Sequence, residues 1–328
     1  MPKAVVCRKL GTPEDLALED MAPLVLPPGH VRVAVRAAGV NFVDLLMIAG
    51  RYQHKPPLPF VPGIEAAGTI VEVAGDLGAR FAVADKVMAQ LRQGGYAEEA
   101  VVRADQVTLL PPGFSFAEGA TFRAAYVTAY HALVDRARLA AGETLLVHGA
   151  GGGMGLAAVD VGKLLGATVI AAASCEEKLA VAARRGADHL ILYGREPLPG
   201  AVKRVTQNAG ADVVFDPVGG PVFEESLHAI AWGARLLVIG FTGGIGVAKT
   251  NLVLIKGASV IGVRAGEDGR RDPERRARLD AALSAYAAAG RLRPHISHTL
   301  PLEHWADAMH VIGERRAIGR VALVTRPL

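Results

Sequence analysis

Between residues 144 and 178 the chain sets an apolar run, a glycine cluster, a helical pattern and a second apolar run in succession. The cluster reads Gly149-Ala150-Gly151-Gly152-Gly153-Met154-Gly155. Backbone without Cβ atoms can turn sharply and approach a pyrophosphate, and a helix that starts there offers free amides and the positive end of its dipole. The obvious register does not match G-x-G-x-x-G. Ala150, Gly152 and Gly155 form A-x-G-x-x-G instead, and Gly153, Gly155 and Ala158 form the variant ending in alanine. A purely structural turn would use glycine as well, but a strand before it and a helix after it, inside a βαβ unit, are the setting of dinucleotide binding.

The second strand bears on which dinucleotide. An NADH site places Asp or Glu at that strand's end to accept from the ribose hydroxyls. Here the strand ends "AAAS", with Ser174 in that place and Lys178 one helical turn later. A hydroxyl and an ammonium suit a 2′-phosphate, which a carboxylate would repel. NADPH is therefore the expected cofactor. Taken alone, Lys178 is an exposed helix lysine, and Glu176 and Glu177 stand near enough to face a ribose.

The elements that must position these residues follow from texture. From residue 123 apolar strands alternate with helices: "TLLVH" (144–148), "TVIAAA" (168–173), "HLILY" (189–193), "DVVFD" (212–216), "RLLVI" (235–239) and "SVIGV" (259–263), with a helix read over 221–232. Near-continuous apolar runs between helices predict a parallel sheet covered on both faces, a doubly wound α/β fold. Residues 1–120 instead alternate at period two between Pro and Gly turns, as in "HVRVAVRAAGV" (30–40), and predict an antiparallel, barrel-like β domain. The strand-like tail segments "HISHTLPL" and "GRVALVT" have no place in the parallel sheet, so the tail is expected to return to the first domain. The expected domains are 1–122 with 265–328, and 123–264.

Composition narrows the function class. The chain has 328 residues, 51% hydrophobic and 21% charged, an ordinary globular balance with room for two cores. Two cysteines are too few for a disulfide framework or a four-thiolate zinc lobe. The net charge of +4 sits in clusters such as "RRDPERRAR" interleaved with acids, so no nucleic-acid partner is expected. No apolar run reaches the length of a membrane span, and "MPKAVVCRKL" reads as a first strand rather than a leader. The expected compartment is the cytoplasm, with no membrane partner.

"GVNFVDLLMIAGRYQHKPPLPFVPGIEAAGTIVEVA" (39–74), the glycine turn, and "FDPVGG…FEESLHAIAWGARLLVIGF" (215–241) together resemble the zinc-free, NADPH-dependent quinone oxidoreductase branch of the medium-chain dehydrogenase/reductase superfamily. The resemblance implies a Rossmann domain inserted in a discontinuous GroES-like catalytic domain. It implies no metal: Asn41 stands where zinc-bearing relatives have Cys, and Ile64 precedes Glu65 where they have His. His30, His54 and His148 show no ligand spacing and read as surface or structural.

By the same resemblance Asn41, Asp44 and Tyr52 form the catalytic set. Asn41 would donate to the substrate oxygen or fix the cofactor, Tyr52 would stack on a quinone and orient its oxygen, and Asp44 would hold neighbours in place or cap the next helix. Thr128, Tyr193, Val218, Phe241 and Arg316 would join Ala150–Gly155, Ser174, Lys178 and Asn41 around the cofactor. Leu46, Phe241 and Arg264 would border the substrate. Leu46 replaces a second tyrosine of some relatives, and Arg264 stands where an aromatic is frequent; it could bind an acidic substrate or a cofactor phosphate.

The expected reaction is hydride transfer from nicotinamide to a quinone or similar conjugated carbonyl. Two alternatives remain open: an NADPH-dependent enoyl, alkenal or acyl-CoA enoyl reductase, and a non-catalytic NADPH-binding sensor or nucleic-acid binder. A homodimer is expected, because "SVIGV" would form a sheet edge that invites pairing.

Overall fold

The chain divides into two compact units, Met1–Ala124 with Arg293–Leu328, and Ala125–Leu292. The computed structural model describes residues 1–75, 77 and 80–325. In chain order the first unit holds β1 (Lys3–Cys7), β2 (Leu16–Asp20), β3 (His30–Val40), α1 (Phe42–Ile48), β4 (Glu65–Val73), β5 (Lys86–Gln90), β6 (Glu99–Arg103) and β7 (Val107–Leu109). Helix α2 (Phe116–Tyr130) carries the chain into the second unit.

There β8 (Thr144–Val147), α3 (Gly153–Leu164), β9 (Thr168–Ala173), α4 (Glu176–Arg184), β10 (His189–Leu192), α5 (Leu198–Val205) and β11 (Ala211–Asp216) follow one another. Next come α6 (Gly220–Ser226), β12 (Ile230–Val238), α7 (Thr250–Ile255), β13 (Ser259–Gly262), α8 (Ala265–Arg271) and α9 (Pro273–Ala288). Finally β14 (Ile296–Pro301), α10 (Trp305–Gly313) and β15 (Arg320–Val324) belong to the first unit.

Among the described residues the second unit's sheet runs β10-β9-β8-β11-β12-β13, with every pairing parallel. This is the doubly wound order, with its switch point between β8 and β11. Leu145, Leu146 and Val147 of β8 are fully buried, as a central strand covered on both faces requires. The first unit's sheet runs β14-β15-β3-β4-β5-β7, with β6 also on β3. Strand β15 lies antiparallel to β3, with Val321 opposite Val40, so the tail adds β15 and β14 to this sheet. Its core includes Val5, Val40, Met47, Tyr96, Met309 and Leu323.

Two boundaries differ from expectation. The return at residue 265 comes later, because α8 and α9 cluster with the second unit. Asp272 caps α9 by accepting the Arg275 amide at 2.9 Å, Leu279, Leu283 and Ala287 are buried, and the Tyr286 ring meets Tyr130 at 6.3 Å. The helix read through 232 stops at Ser226. The β-strand wins there because Ile230 pairs with Ala211 and buries its side chain in the sheet.

Candidate active site

In the second unit the glycine cluster joins the end of β8 to α3, whose N-cap is Gly152. A Cβ on Gly155 would lie 2.3 Å from the Gly149 carbonyl oxygen and 2.7 Å from Ala150 Cα, so a bare Cα is what lets the helix start beneath the turn. A Cβ on Gly151 would lie 2.3 Å from Lys178 Cβ, which sets the lysine stem against the turn. At Gly152 the nearest neighbour would be Gly149 O at 3.4 Å, so that side stays open. The first amides of α3 have no intrahelical acceptors. An open cradle of free amides at a helix N-terminus fits a pyrophosphate. Helix α3 is anchored from below by buried Asp160, which accepts the Tyr126 hydroxyl at 2.5 Å and Arg185 Nε at 2.8 Å.

Ser174 is exposed just past β9, and Lys178 is half-buried on α4. Of the two nearby acids, Glu176 lies 3.9 Å from Arg195. Glu177 is held below the usual carboxylate range, first by its own amide and then by Cys175. Tyr193 follows β10, and its hydroxyl lies 2.9 Å from His148 Nδ1 and 3.1 Å from the Gly149 amide. Val218 and Gly219 donate their amides to Asp216 Oδ1 at 2.7 and 2.9 Å, forming a tight turn at the end of β11. Phe241 and Arg264, both exposed, follow β12 and β13, on the carboxyl side of the sheet where ligands of such folds bind. Thr128 is half-buried on α2.

In the first unit α1 begins at Asn41. Asp44, three residues on, accepts the Asn41 amide at 2.9 Å and the Tyr96 hydroxyl at 3.0 Å through the same oxygen. Its other oxygen is buried without a hydrogen-bond partner. Burial pushes the Asp44 carboxyl up to about 7 against the Asn41 and Tyr96 hydrogen bonds and a smaller pull from the Gly63 backbone, with a further push from the charge of Glu65. Asn41 Nδ2 donates to Glu65 at 3.1 Å and to the Gly39 carbonyl at 3.3 Å. Both amide protons are thus used inside the unit, so the expected donation from Asn41 to a substrate oxygen does not fit.

Glu65 is nearly fully buried and accepts from three directions: Asn41, the Ala124 amide at 2.9 Å, and the Arg320 guanidinium. Arg320 also donates to the Thr121 carbonyl at 3.0 Å. Tyr52 and Leu46 are half-buried, Tyr52 against the core that contains Met47 and Tyr96. Arg316 is exposed past α10 and pairs with Glu314 at 2.7 Å.

Sequence reading missed the buried polar residues behind these segments: Glu65, Tyr96 and Arg320 in one unit, and His148, Ser226 and Asp216 in the other. Only Glu65 left a signal, through its place beside Ile64.

The chain thus carries two units, a parallel doubly wound sheet with a glycine turn at its switch point and a β unit with a buried polar cluster at the start of α1, and these are the units of an oxidoreductase. Comparison with known proteins agrees. Residues 27–112 match the model of the alcohol dehydrogenase GroES-like domain, and residues 153–284 match that of the zinc-binding dehydrogenases. A quinone oxidoreductase-like protein 2 homolog from Nematostella vectensis is 38% identical over 330 residues, covering 99% of this chain and 89% of that protein. The crystal structure of a probable oxidoreductase from Mycobacterium abscessus is 36% identical and superposes with a TM-score of 0.89, covering 98% of both chains. The Escherichia coli quinone oxidoreductase in complex with NADPH is 26% identical with a TM-score of 0.89, covering 98% of this chain and 99% of that one. The chain belongs to the quinone oxidoreductase family of the medium-chain dehydrogenase/reductase superfamily and is an oxidoreductase.

The zinc in the second family description does not fit the donor set here. Asn41 and Ile64 offer neither thiolate nor imidazole, and both Glu65 oxygens already accept hydrogen bonds. Among the described residues no three His, Cys, Asp or Glu side chains gather as ligands.

Proposed function

We propose that the protein uses NADPH to reduce a quinone or similar conjugated carbonyl without zinc. The observation that carries the cofactor choice is Lys178 packed against Gly151, with Ser174, not a carboxylate, at the end of β9. The NADPH named in the Escherichia coli relative's structure supports the same choice. A reduced nicotinamide, when bound, supplies a hydride.

The chain's own residues bind and orient. The amides of Gly151, Gly153, Met154 and Gly155 would hold the pyrophosphate, that of Gly152 being turned onto the Gly149 carbonyl at 2.9 Å, and Ser174 and Lys178 would hold the 2′-phosphate. Thr128, Tyr193, Val218, Phe241 and Arg316 would line the remainder. Glu65, itself held by Arg320, holds the Asn41 side chain, and Asp44 holds the Asn41 amide, so this segment is braced before any ligand arrives. Tyr52 would orient the acceptor's oxygen, with Leu46 and Arg264 bordering the same substrate.

The homodimer belongs to this proposal. Strand β13 ends its sheet, and Val260 on it, with Trp232 and Leu254 nearby in the chain's β12 and α7, leaves apolar surface exposed. A cytoplasmic setting is supported by two unpaired cysteines. Among the described residues no helix is long and apolar enough to cross a membrane.

The test is oxidation of NADPH and NADH at matched concentrations, in chelator, with a small quinone, an enal and an enoyl thioester. Turnover of NADPH with the quinone is the expected result. Preference for the enal or thioester would replace the substrate class, and NADH winning would overturn the 2′-phosphate assignment. Tight NADPH binding without turnover on any acceptor would overturn the catalytic reading.

A further inference from the structure

His148 has no part in the function proposed above, yet it lies directly under the phosphate turn. It follows β8, is fully buried, and its amide closes on the Phe215 carbonyl at 3.0 Å. Its ring stacks on that of Tyr193, with 6.0 Å between centroids and 29° between planes. Nδ1 is 2.9 Å from the Tyr193 hydroxyl and Nε2 is 2.8 Å from Ser226 Oγ. The chain of contacts extends at both ends. Gly149 donates its amide to the Tyr193 hydroxyl at 3.1 Å, and Ser226 donates to the Val222 carbonyl at 2.7 Å.

Both ends of this chain have fixed polarity, because a backbone amide only donates and a carbonyl only accepts. Ser226 spends its one proton on Val222, so it must accept from Nε2. The ring proton is therefore on Nε2, and Nδ1 is an acceptor. Tyr193 fills that acceptor with its hydroxyl proton while its oxygen receives the Gly149 amide. Burial keeps the imidazole neutral, its pKa pushed down to about 3, so no second proton disturbs this order near neutral pH.

We propose that His148, as the neutral Nε2–H tautomer, is a positioning residue for the dinucleotide: it fixes the Tyr193 hydroxyl and, through it, the first amide of the phosphate turn. The inference rests on the dinucleotide reading above and adds to it a direction for every proton beneath the turn. It also assigns Tyr193 its mode of contact. The only hydroxyl proton of Tyr193 points inward, so this residue meets a bound dinucleotide with its ring and not as a hydrogen-bond donor.

Asparagine and glutamine separate the two ring nitrogens, because the amide of Asn reaches about as far as Nδ1 and that of Gln about as far as Nε2. Dissociation constants for NADPH, read from nucleotide fluorescence, are expected to rise about three- to tenfold in His148→Gln and Tyr193→Phe, which lose the bond at Nδ1. His148→Asn is expected to stay within about twofold of the unaltered chain, and the Gln/Phe double variant to bind no worse than either single one. Without any dinucleotide, a two-bond ¹H–¹⁵N spectrum should show the His148 Nε2–H tautomer unchanged from about pH 5 to pH 8. An Nδ1–H tautomer, a titration within that range, or equal losses in the Asn and Gln variants would overturn the proposal while leaving the dinucleotide reading intact. If the unaltered chain binds neither NADPH nor NADH, both readings fall together.

Discussion

Replacing Asp44 with asparagine separates the charge of this residue from its shape. The side chain oxygen that accepts the Asn41 amide at 2.9 Å and the Tyr96 hydroxyl at 3.0 Å can be kept, while the unpartnered oxygen becomes an amide nitrogen. Burial raises the pKa of this carboxyl to about 7, from the ordinary aspartate value of about 4. A group raised in the folded state binds protons more tightly when folded, so its stabilising contribution is full below the unfolded pKa. That contribution is lost as pH rises through the folded value. The loss runs at about 1.4 kcal/mol per pH unit between those two values and then levels off. From pH 5 to pH 8 it amounts to about 3 kcal/mol, or about 5–10 °C in melting temperature for a unit of this size. Thermal melts of both proteins across that range give the assay, and contributions from every other group cancel in the difference. The Asp44→Asn protein should gain on the unaltered chain steadily as pH rises. Parallel curves would refute the argument, since they would mean that Asp44 folds as an ordinary carboxylate.

Other expectations follow from the same geometry. Lys178→Ala should weaken NADPH about ten- to a hundredfold and leave NADH within about twofold, because a charge-assisted bond to phosphate contributes about 1.5–3 kcal/mol; equal losses in calorimetric titrations would remove Lys178 from the 2′-phosphate. Gly155→Ala puts a methyl 2.3 Å from the Gly149 carbonyl, so binding of either dinucleotide should fall at least about tenfold, and an unchanged dissociation constant would mean the turn does not need this contact. Arg320→Met leaves Glu65 buried without its cation, which should cost about 3–5 kcal/mol in urea unfolding, with much of the loss recovered by adding Glu65→Gln. No recovery in the double variant would mean that Arg320 matters for packing and not for charge.

The residues most legible in the sequence are those whose neighbours in space are also neighbours in the chain. The strand, turn and helix around Gly149–Gly155 fall within a short stretch, and the end of β9 with Ser174 and Lys178 lies close behind, so local pattern carried the expectation of a dinucleotide turn. The alternation of apolar strands and helices likewise announced the parallel sheet, because central strands such as β8 are buried on both faces. Asp44 was expected to hold its neighbours or cap the next helix; it holds its neighbours, but from the third position of α1, whose N-cap is Asn41.

Glu65 and Arg320 stand 255 positions apart, and only the pairing of β15 with β3, and of β3 with β4, brings them to one place. Nothing in the pattern of either segment marks its partner. His148 read as a lone histidine because its partners Tyr193 and Ser226 are 45 and 78 positions away. The late boundary has the same origin: the sequence of α9 does not say which unit buries Leu279, Leu283 and Ala287. So a ligand's chemistry writes itself into short stretches of backbone that touch it, whereas the groups that hold those stretches are chosen by topology. Asn41 shows the consequence most directly. Its type and place suggested a hydrogen-bond donor to substrate, yet distant Glu65 and nearby Gly39 take both of its protons and turn it into a brace.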